Sequence, residues 1–175
     1  MEKLRQSCLN LKIIEIGYCD LSSIDVYDLP NDLEKLKLIK CEIPLKWFQN
    51  NKFTQLSQID LSESSRVCTT HLKDLFSSND FIQSSLKSLI LRKCYRIDDK
   101  SIEALCENNF ISKTKMIDLN LNETSITPVG LQILGRNHSN NIGILNIKNC
   151  KYLDKLDIDS IRILFSGNES FQLII

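Results

Sequence analysis

The chain has 175 residues, of which 42% are hydrophobic, and its 22 basic and 22 acidic side chains balance to a net charge of zero. This length and apolar content fit one domain with a continuous core. The zero net charge gives no general attraction to nucleic acid or to a membrane surface, and no apolar run approaches the roughly 20 residues that span a bilayer.

A spaced apolar pattern recurs along the chain. From Leu86 to Cys106, three leucines have the spacing L-x-x-L-x-L, a cysteine follows three residues later, and two apolar residues then have helical spacing. Matching patterns begin at residues 11, 33, 56, 86, 116 and 142, at intervals of 22, 23, 30, 30 and 26 residues. Leucine-rich repeats have periods of about 20 to 29 residues. One strand and one helix cannot bury their apolar faces alone, so the repeats are expected to stack.

The first two units have short returns between their strands. Residues 1–8 are predicted to end a helix, and the first strand begins near Leu11. After the second strand, Pro44 is placed to begin a brief helix that carries Trp47 and Phe48.

The later units have clearer helical patterns. In the fourth unit, Asp98 and Asp99 precede the helix, where acidic residues cap exposed amides and complement the helix dipole. In the fifth unit, Thr127 is predicted as an N-cap and Pro128 as the first helical residue. A short apolar stretch from Phe171 resembles the opening of one last strand, which would cover the open end of the core.

These elements predict an α/β leucine-rich-repeat solenoid, a horseshoe arc like that of ribonuclease inhibitor. Parallel strands joined by right-handed crossovers would form the concave face, and the helices would form the convex face. We expect a single domain over residues 1–175, with about six repeats and a terminal half-repeat.

The seven cysteines fit no zinc or redox spacing, since the chain has no C-x-x-C motif. Cys19, Cys41, Cys94 and Cys150 share the ninth position of the repeat. We predict small buried thiols that pack and hydrogen-bond at the turn after each strand. Reduced structural thiols favour the cytoplasm or the nucleus, and the pattern implies neither a metal nor a cofactor.

Candidate catalytic residues are scarce. The two histidines, His71 and His138, have no carboxylate or thiol at a spacing that implies a catalytic group, and we predict both as surface or capping residues. No glycine-rich phosphate-binding motif is present. The sequence therefore predicts no catalytic residues and a protein that is not an enzyme.

The expected functional surface is the concave face. The third, fifth, seventh and eighth repeat positions are predicted to point outward from the sheet. The candidate protein-binding residues are Ile13, Glu15, Tyr18, Lys37, Ile39, Asp60, Glu63, Ile90, Arg92, Lys93, Asn120 and Glu123. At the eighth position lysine and glutamate alternate from the second to the fifth unit, which places opposite charges on neighbouring strands. This alternation stabilises the sheet, forms a polar recognition face, or does both; it disfavours a nucleic-acid groove, which needs one sign of charge.

Four stretches carry a resemblance to a known family. LKSLILRKCYRIDDKSIEALC and MIDLNLNETSITPVGLQIL resemble the repeats of F-box/leucine-rich-repeat proteins, and LEKLKLIKCEIPLKWFQNN and IRILFSGNESFQLII are similar to segments of that family. The resemblance implies a substrate receptor of an SCF-type cullin-RING ubiquitin ligase. In such receptors an F-box recruits the ligase adaptor and the repeats bind the protein to be ubiquitinated.

The repeats begin by Leu11, so we expect no F-box within this chain. Binding to the cullin adaptor is then expected only where an F-box is supplied upstream. The alternative is a free-standing leucine-rich-repeat scaffold, inhibitor or complex-assembly protein that is unrelated to ubiquitination. Fold class alone does not decide between these two functions.

Overall fold

A computed structural model describes residues 8, 10–49, 51–77, 82, 85–107 and 116–175, without the side chains of residues 116, 117 and 137. In chain order the elements are β1 (Ile13–Gly17), a 3-10 helix (Val26–Asp28), β2 (Lys35–Ile39), β3 (Gln58–Asp60), α1 (Thr69–Ser77), β4 (Ser88–Ile90), α2 (Asp99–Glu107), β5 (Met116–Asn120), α3 (Pro128–His138), β6 (Ile142–Asn146), α4 (Lys155–Leu164) and β7 (Gln172–Ile174). The predicted helix end at residues 1–7 lies outside the described residues.

The strands form one parallel sheet in the order β1 to β7. Its register aligns equal repeat positions, because Ile14 pairs with Leu36, Leu36 with Ile59 and Ile59 with Leu89. Each strand is therefore hydrogen-bonded to the strand of the next repeat, as a stacked array requires. The predicted leucine-rich-repeat solenoid is confirmed.

The core is built from the first, fourth and sixth positions of the repeats. Leu36, Ile59, Leu89, Leu119 and Leu145, all at the fourth position, are fully buried. Burying a leucine or isoleucine side chain stabilises a fold by about 1.5 to 3 kcal/mol, so this column is a main source of stability.

A further strand follows α4, as the apolar stretch from Phe171 predicted. β7 pairs with β6, with Leu145 opposite Leu173. Below the strand, the rings of Phe165 and Phe171 stack with their centroids 4.2 Å apart. Phe165 is 1% exposed, and the ring of Phe171 contributes to its burial.

The eighth position of every repeat has a left-handed backbone. Tyr18, Lys40, Glu63, Lys93, Glu123 and Asn149 have φ angles between 54° and 61°. In this conformation the backbone amide is aimed at the next repeat: Glu63 N–H donates to the Arg92 carbonyl at 2.8 Å, and Lys93 N–H donates to the Asn122 carbonyl at 2.8 Å. The strain of a non-glycine residue at positive φ, about 1 to 2 kcal/mol, is thus offset by an additional bond between repeats.

The ninth position joins the repeats in the opposite direction. Cys94 Sγ donates to the Leu61 carbonyl at 3.0 Å, and Cys150 Sγ donates to the Leu121 carbonyl at 3.1 Å. Both thiols are buried. In the third repeat a hydroxyl has this role, since Ser64 Oγ donates to the Leu38 carbonyl at 2.8 Å.

Cys19 does not follow the prediction of a buried thiol, because its side chain is exposed. Its Sγ donates to the Gly17 carbonyl of its own repeat at 3.3 Å. Cys41, one repeat further on, is buried and reaches back to the Ile16 carbonyl at 3.5 Å. The buried cysteines of the ninth position are therefore those whose thiols reach a carbonyl of the preceding repeat.

The brief helix predicted after Pro44 is wrong. Residues 45–49 form successive turns, and Lys46 has a φ of 66°, which a right-handed helix cannot contain. Trp47 anchors this segment instead, because its indole Nε1 donates to the Ile24 carbonyl at 2.7 Å.

The predicted helix caps are confirmed. The Asp98 carboxylate accepts the Ser101 amide at 3.1 Å at the start of α2. Thr127 is the N-cap of α3, its hydroxyl accepts the Val129 amide at 3.2 Å, and Pro128 is the first helical residue.

Candidate protein-binding surface

The concave face is the side of the sheet that faces away from the helices. The parallel register brings its fifth-position residues into one row across the strands. Glu15 pairs with Lys37, Lys37 with Asp60, Asp60 with Ile90, and Ile90 with Asn120. Five predicted site residues from five different repeats are thus neighbours in space.

The apolar candidates differ in exposure. Tyr18 is 79% exposed and Ile13 is 52% exposed, both at the β1 end of the face. Ile39 and Ile90 are partly buried. The ammonium of Lys40 lies 4.9 Å from the centroid of the Tyr18 ring, which holds this ring over the second repeat through a cation–π contact.

Ion pairs cross between neighbouring repeats. Lys37 Nζ lies 3.0 Å from the Glu15 carboxylate. The Glu63 carboxylate lies 3.4 Å from the Arg92 guanidinium and 3.6 Å from the Lys93 ammonium. Side chains this exposed gain about 0 to 1 kcal/mol from such a pair. The predicted pairing of opposite charges at the eighth position is found between Glu63 and Lys93. The ammonium of Lys40, at the same position, contacts the ring of Tyr18.

Two of the polar candidates are turned toward the backbone. The Asp60 carboxylate accepts the Ser62 amide at 2.9 Å, and the Asn120 side-chain oxygen accepts the Asn122 amide at 3.0 Å. These bonds resemble helix caps, since a short polar side chain satisfies an amide two residues later. Asp60 and Asn120 therefore shape the strand ends as well as lining the face.

The seventh position does not point outward in every repeat. Ser62 is 5% exposed and Asn122 is 7% exposed, although the period-2 pattern predicts exposure for both. Their fifth-position neighbours fold over them through the bonds just described. Arg92, at the same position, has a long side chain that remains exposed.

Sequence reasoning missed one polar pair at the centre of the face. Ser88 Oγ donates to the Asp118 carboxylate at 3.2 Å, across β4 and β5. Burial raises the pKa of the Asp118 carboxyl above its usual value, with a smaller upward contribution from Asp60. The repeat pattern could have predicted this pair, because both residues occupy the outward third position of their repeats.

Both histidines are buried, so the prediction of surface residues is wrong, whereas His71 is a capping residue because its side chain accepts the amide of Cys68, the residue before α1. His71 is 1% exposed and His138 is 5% exposed. The Nε2 atom of His71 lies 3.1 Å from the Ile43 carbonyl and therefore donates to it, while Nδ1 accepts the Cys68 amide at 3.3 Å. Burial lowers the pKa of both imidazoles below the usual value, so both are neutral at pH 7.

The described part of the chain contains neither a candidate metal site nor a candidate membrane-spanning helix. No group of three or more histidine, cysteine, aspartate or glutamate side chains there could hold a metal ion. Within the same residues, no helix combines the length and the apolar character that a membrane crossing requires.

The aligned leucine columns, the left-handed eighth position and the ladder of ninth-position donors define a leucine-rich-repeat protein. The chain is similar to F-box/LRR-repeat protein 12 of Mus musculus, with 29% identity over 127 residues that cover 71% of this chain. The proteins of the same name from Homo sapiens and Bos taurus are each 28% identical over 127 residues. No protein-family model matches the chain.

The chain spans 38% of the length of these curated relatives. The resemblance to F-box/leucine-rich-repeat proteins inferred from the repeats is confirmed by these similarities.

Proposed function

We propose that this chain is a protein-interaction module that binds a protein target on its concave face. The observation that carries the proposal is the row of polar and apolar side chains from successive repeats that the parallel register aligns. A second protein can lie across such a row and contact several repeats at once. The similarity to proteins named F-box/LRR-repeat supports a role as the substrate-recognition domain of an SCF-type ubiquitin ligase receptor.

The side chains of the concave face fall into two groups, those that would supply binding energy and those that would determine specificity. Tyr18 and Arg92 are of the residue types that carry most binding energy when an interface is desolvated. The surrounding charges of Lys37, Glu63 and Lys93 would set orientation and discriminate among targets more than they would add affinity. Because these charges pair with opposite charges within the chain, the face presents both signs. A target must therefore carry complementary charges of both signs.

The test compares a concave variant with a convex control. The double change Tyr18→Ala and Arg92→Ala removes two exposed anchors, and Lys100→Ala with Glu103→Ala changes two exposed residues of α2. Isotope-labelled affinity purification from cells would be run with the wild type and both variants. We expect a protein that the concave variant loses and the convex variant retains, with unchanged unfolding temperatures. Loss with the convex pair alone would place recognition on the helical side.

The ligase role needs a separate experiment. The protein identified in that comparison should have a longer half-life when the gene for the chain is deleted, and restoring the wild type but not the concave variant should shorten it. Residues 1–175 alone are expected not to co-purify with the cullin adaptor, whereas a fusion with an upstream F-box should do so. An unchanged half-life of a confirmed concave-face partner would favour the free-standing scaffold.

A further inference from the structure

A recess of about 390 Å³ lies beyond the carboxyl ends of β2, β3 and β4. Its lining residues are Ile43, Pro44, Leu45, Arg66, His71 and Arg96, and this set is called the rim recess. None of the candidate residues of the concave face belongs to it. The volume is in the range of small-ligand pockets.

The second repeat borders the rim recess with its return segment, which contains turns instead of a helix. Ile43, Pro44 and Leu45 line the recess, and residues 45–49 form turns, whereas the later repeats have α1, α2 and α3 after their strands. His71 fixes the wall on this side, since its Nε2 donates to the Ile43 carbonyl at 3.1 Å. With Nδ1 bound to the Cys68 amide, the neutral ring has no further donor to offer and forms an uncharged part of the lining.

Two guanidinium groups give the rim recess its charge. Arg66 and Arg96 each lie two residues after the ninth position of their repeat, and both line the rim recess. The backbone of Arg96 pairs with Cys68 of the preceding repeat. Arg66 is 62% exposed at its side chain and pairs with Glu42 at 3.1 Å. Arg96 is exposed, and within the described ranges no carboxylate lies at ion-pair distance from it. Arg66 and Arg96 are the charged residues among the described lining of the recess, while Asp20 and Glu42 lie beside Arg66 and Asp74 interacts with His71. The lining itself is therefore positive, which favours an anionic group placed between the two arginines.

An apolar surface adjoins this charge. Leu45 is 65% exposed and forms part of a second recess of about 310 Å³, which includes Tyr27 and Trp47. Pro44 and Leu45 line both recesses and so form the wall between them. The charges of the second recess, Asp25 and Lys46, balance each other. A ligand that fits both recesses therefore has an anionic group close to an apolar one.

We propose that the rim recess binds an acidic peptide segment, with a glutamate or aspartate carboxylate between Arg66 and Arg96 and a neighbouring apolar side chain against Leu45. Guanidinium groups bind carboxylates through paired, charge-assisted hydrogen bonds. A peptide is the occupant that carries both groups a few ångströms apart. This site is separate from the concave face, and the proposal does not depend on the function proposed for that face.

Glu42 gives the proposal a specific signature. Its carboxylate already occupies Arg66 and therefore competes with the carboxylate of the peptide. Removing this competitor with Glu42→Gln should strengthen peptide binding, whereas a purely structural ion pair between repeats would only lose stability. Arg66→Gln and Arg96→Gln should weaken binding.

The experiment is an NMR titration with the peptide acetyl-Gly-Leu-Ser-Glu-Glu-Gly-amide, followed through the Nε–Hε signals of the arginines. We expect saturable shifts of Arg66 and Arg96 with a dissociation constant of about 0.1 to 1 mM. Each arginine variant should weaken binding about twofold to fivefold, and Glu42→Gln should tighten it by a similar factor. Raising the salt from about 0.05 to about 0.5 M should also weaken binding.

Three comparisons decide the outcome. Arg162→Gln removes an exposed arginine that pairs with Asp159 on α4 and should leave binding unchanged. A peptide with glutamine in place of both glutamates should not bind. The proposal is overturned if the glutamate peptide causes no saturable shift, if Arg96→Gln binds like the wild type, or if only a phosphoserine version of the glutamine peptide binds.

Discussion

The carboxylate of Asp99 accepts two hydrogen bonds from Thr127, one from its backbone amide at 2.8 Å and one from its hydroxyl at 2.6 Å. The two residues begin α2 and α3, which belong to consecutive repeats. The Thr127 hydroxyl in turn accepts the Val129 amide at 3.2 Å. One carboxylate thus connects the first turns of two helices that are far apart in sequence.

The change Asp99→Ala should destabilise the fold by about 1 to 3 kcal/mol, because it leaves the partly buried Thr127 amide without its acceptor. Thermal and urea unfolding would measure the loss. The matched control is Lys100→Ala on the same turn, whose side chain is exposed and whose removal should change stability by less than about 0.5 kcal/mol. Equal effects of the two changes would contradict the structural role of the carboxylate.

Gly130 lies where α3 passes closest to Asp99. A Cβ atom at Gly130 would meet the Asp99 carboxylate oxygen and would lie 3.3 Å from the Asp99 Cα. Gly130→Ala should therefore cost about 1 to 3 kcal/mol through overpacking, despite the higher helix propensity of alanine. Gly167→Ala is the control, since its Cβ would have no atom within 4 Å. A Gly130→Ala protein as stable as Gly167→Ala would show that the two helices can separate freely.

The cysteines should differ in their reaction with iodoacetamide. Burial raises the pKa of the Cys94 thiol to about 12 and raises the pKa of Cys41 and Cys150. Because the thiolate is the nucleophile, these three should be protected in the native protein, while the exposed Cys19 should react first. Peptide mass spectrometry after timed labelling would give the four rates. Rapid native labelling of Cys94 would contradict its buried position.

Stability should decrease between neutral and mildly acidic pH. The folded-state pKa values of His71 and His138 are lowered by burial, so below about pH 6.5 the unfolded chain binds protons that the folded chain does not. The free energy of unfolding should therefore fall as pH drops from 7 toward 5.5, by at most about 1.4 kcal/mol per pH unit for each histidine. Urea unfolding at several pH values would measure this slope.

His138→Leu is the matched variant for that experiment, because it removes one of the two titrating rings and keeps an apolar side chain in a buried place. Its slope should be roughly half that of the wild type. A wild-type stability that rises on acidification, or a slope unaffected by His138→Leu, would contradict the assignment to the histidines.

Much of the architecture could be predicted because local pattern and tertiary environment agree. The inward leucines of the fourth position and the Thr127-Pro128 helix start are local signals, and each is found where the spacing places it. The outward direction of the concave residues follows from the same period of two. The sequence could therefore predict the outward third and fifth positions, but not that Ser62 and Asn122 at the seventh position are buried.

The errors arise where a neighbouring repeat decides the outcome. His71 is buried by its bond to Ile43 in the preceding repeat, and nothing in its own helix indicates that bond. Lys46 adopts a left-handed conformation that its residue type does not suggest. The rim recess borders both features, since it is lined by His71 and by the return segment of the second repeat. Features that involve two repeats are not encoded in the pattern of one.

Two sets of hydrogen bonds connect neighbouring repeats, one from the eighth-position amides and one from the ninth-position side chains. In both sets a backbone group of one repeat needs a partner that lies later in the chain. The amide of Glu63 needs the Arg92 carbonyl, and the Leu61 carbonyl receives the Cys94 thiol. In both cases a backbone group of the earlier repeat forms its hydrogen bond only with a group of the later repeat. During synthesis from the N-terminus, each turn is therefore completed only when the following repeat has left the ribosome. Native structure should thus advance along the nascent chain one repeat behind the part that has emerged from the ribosome.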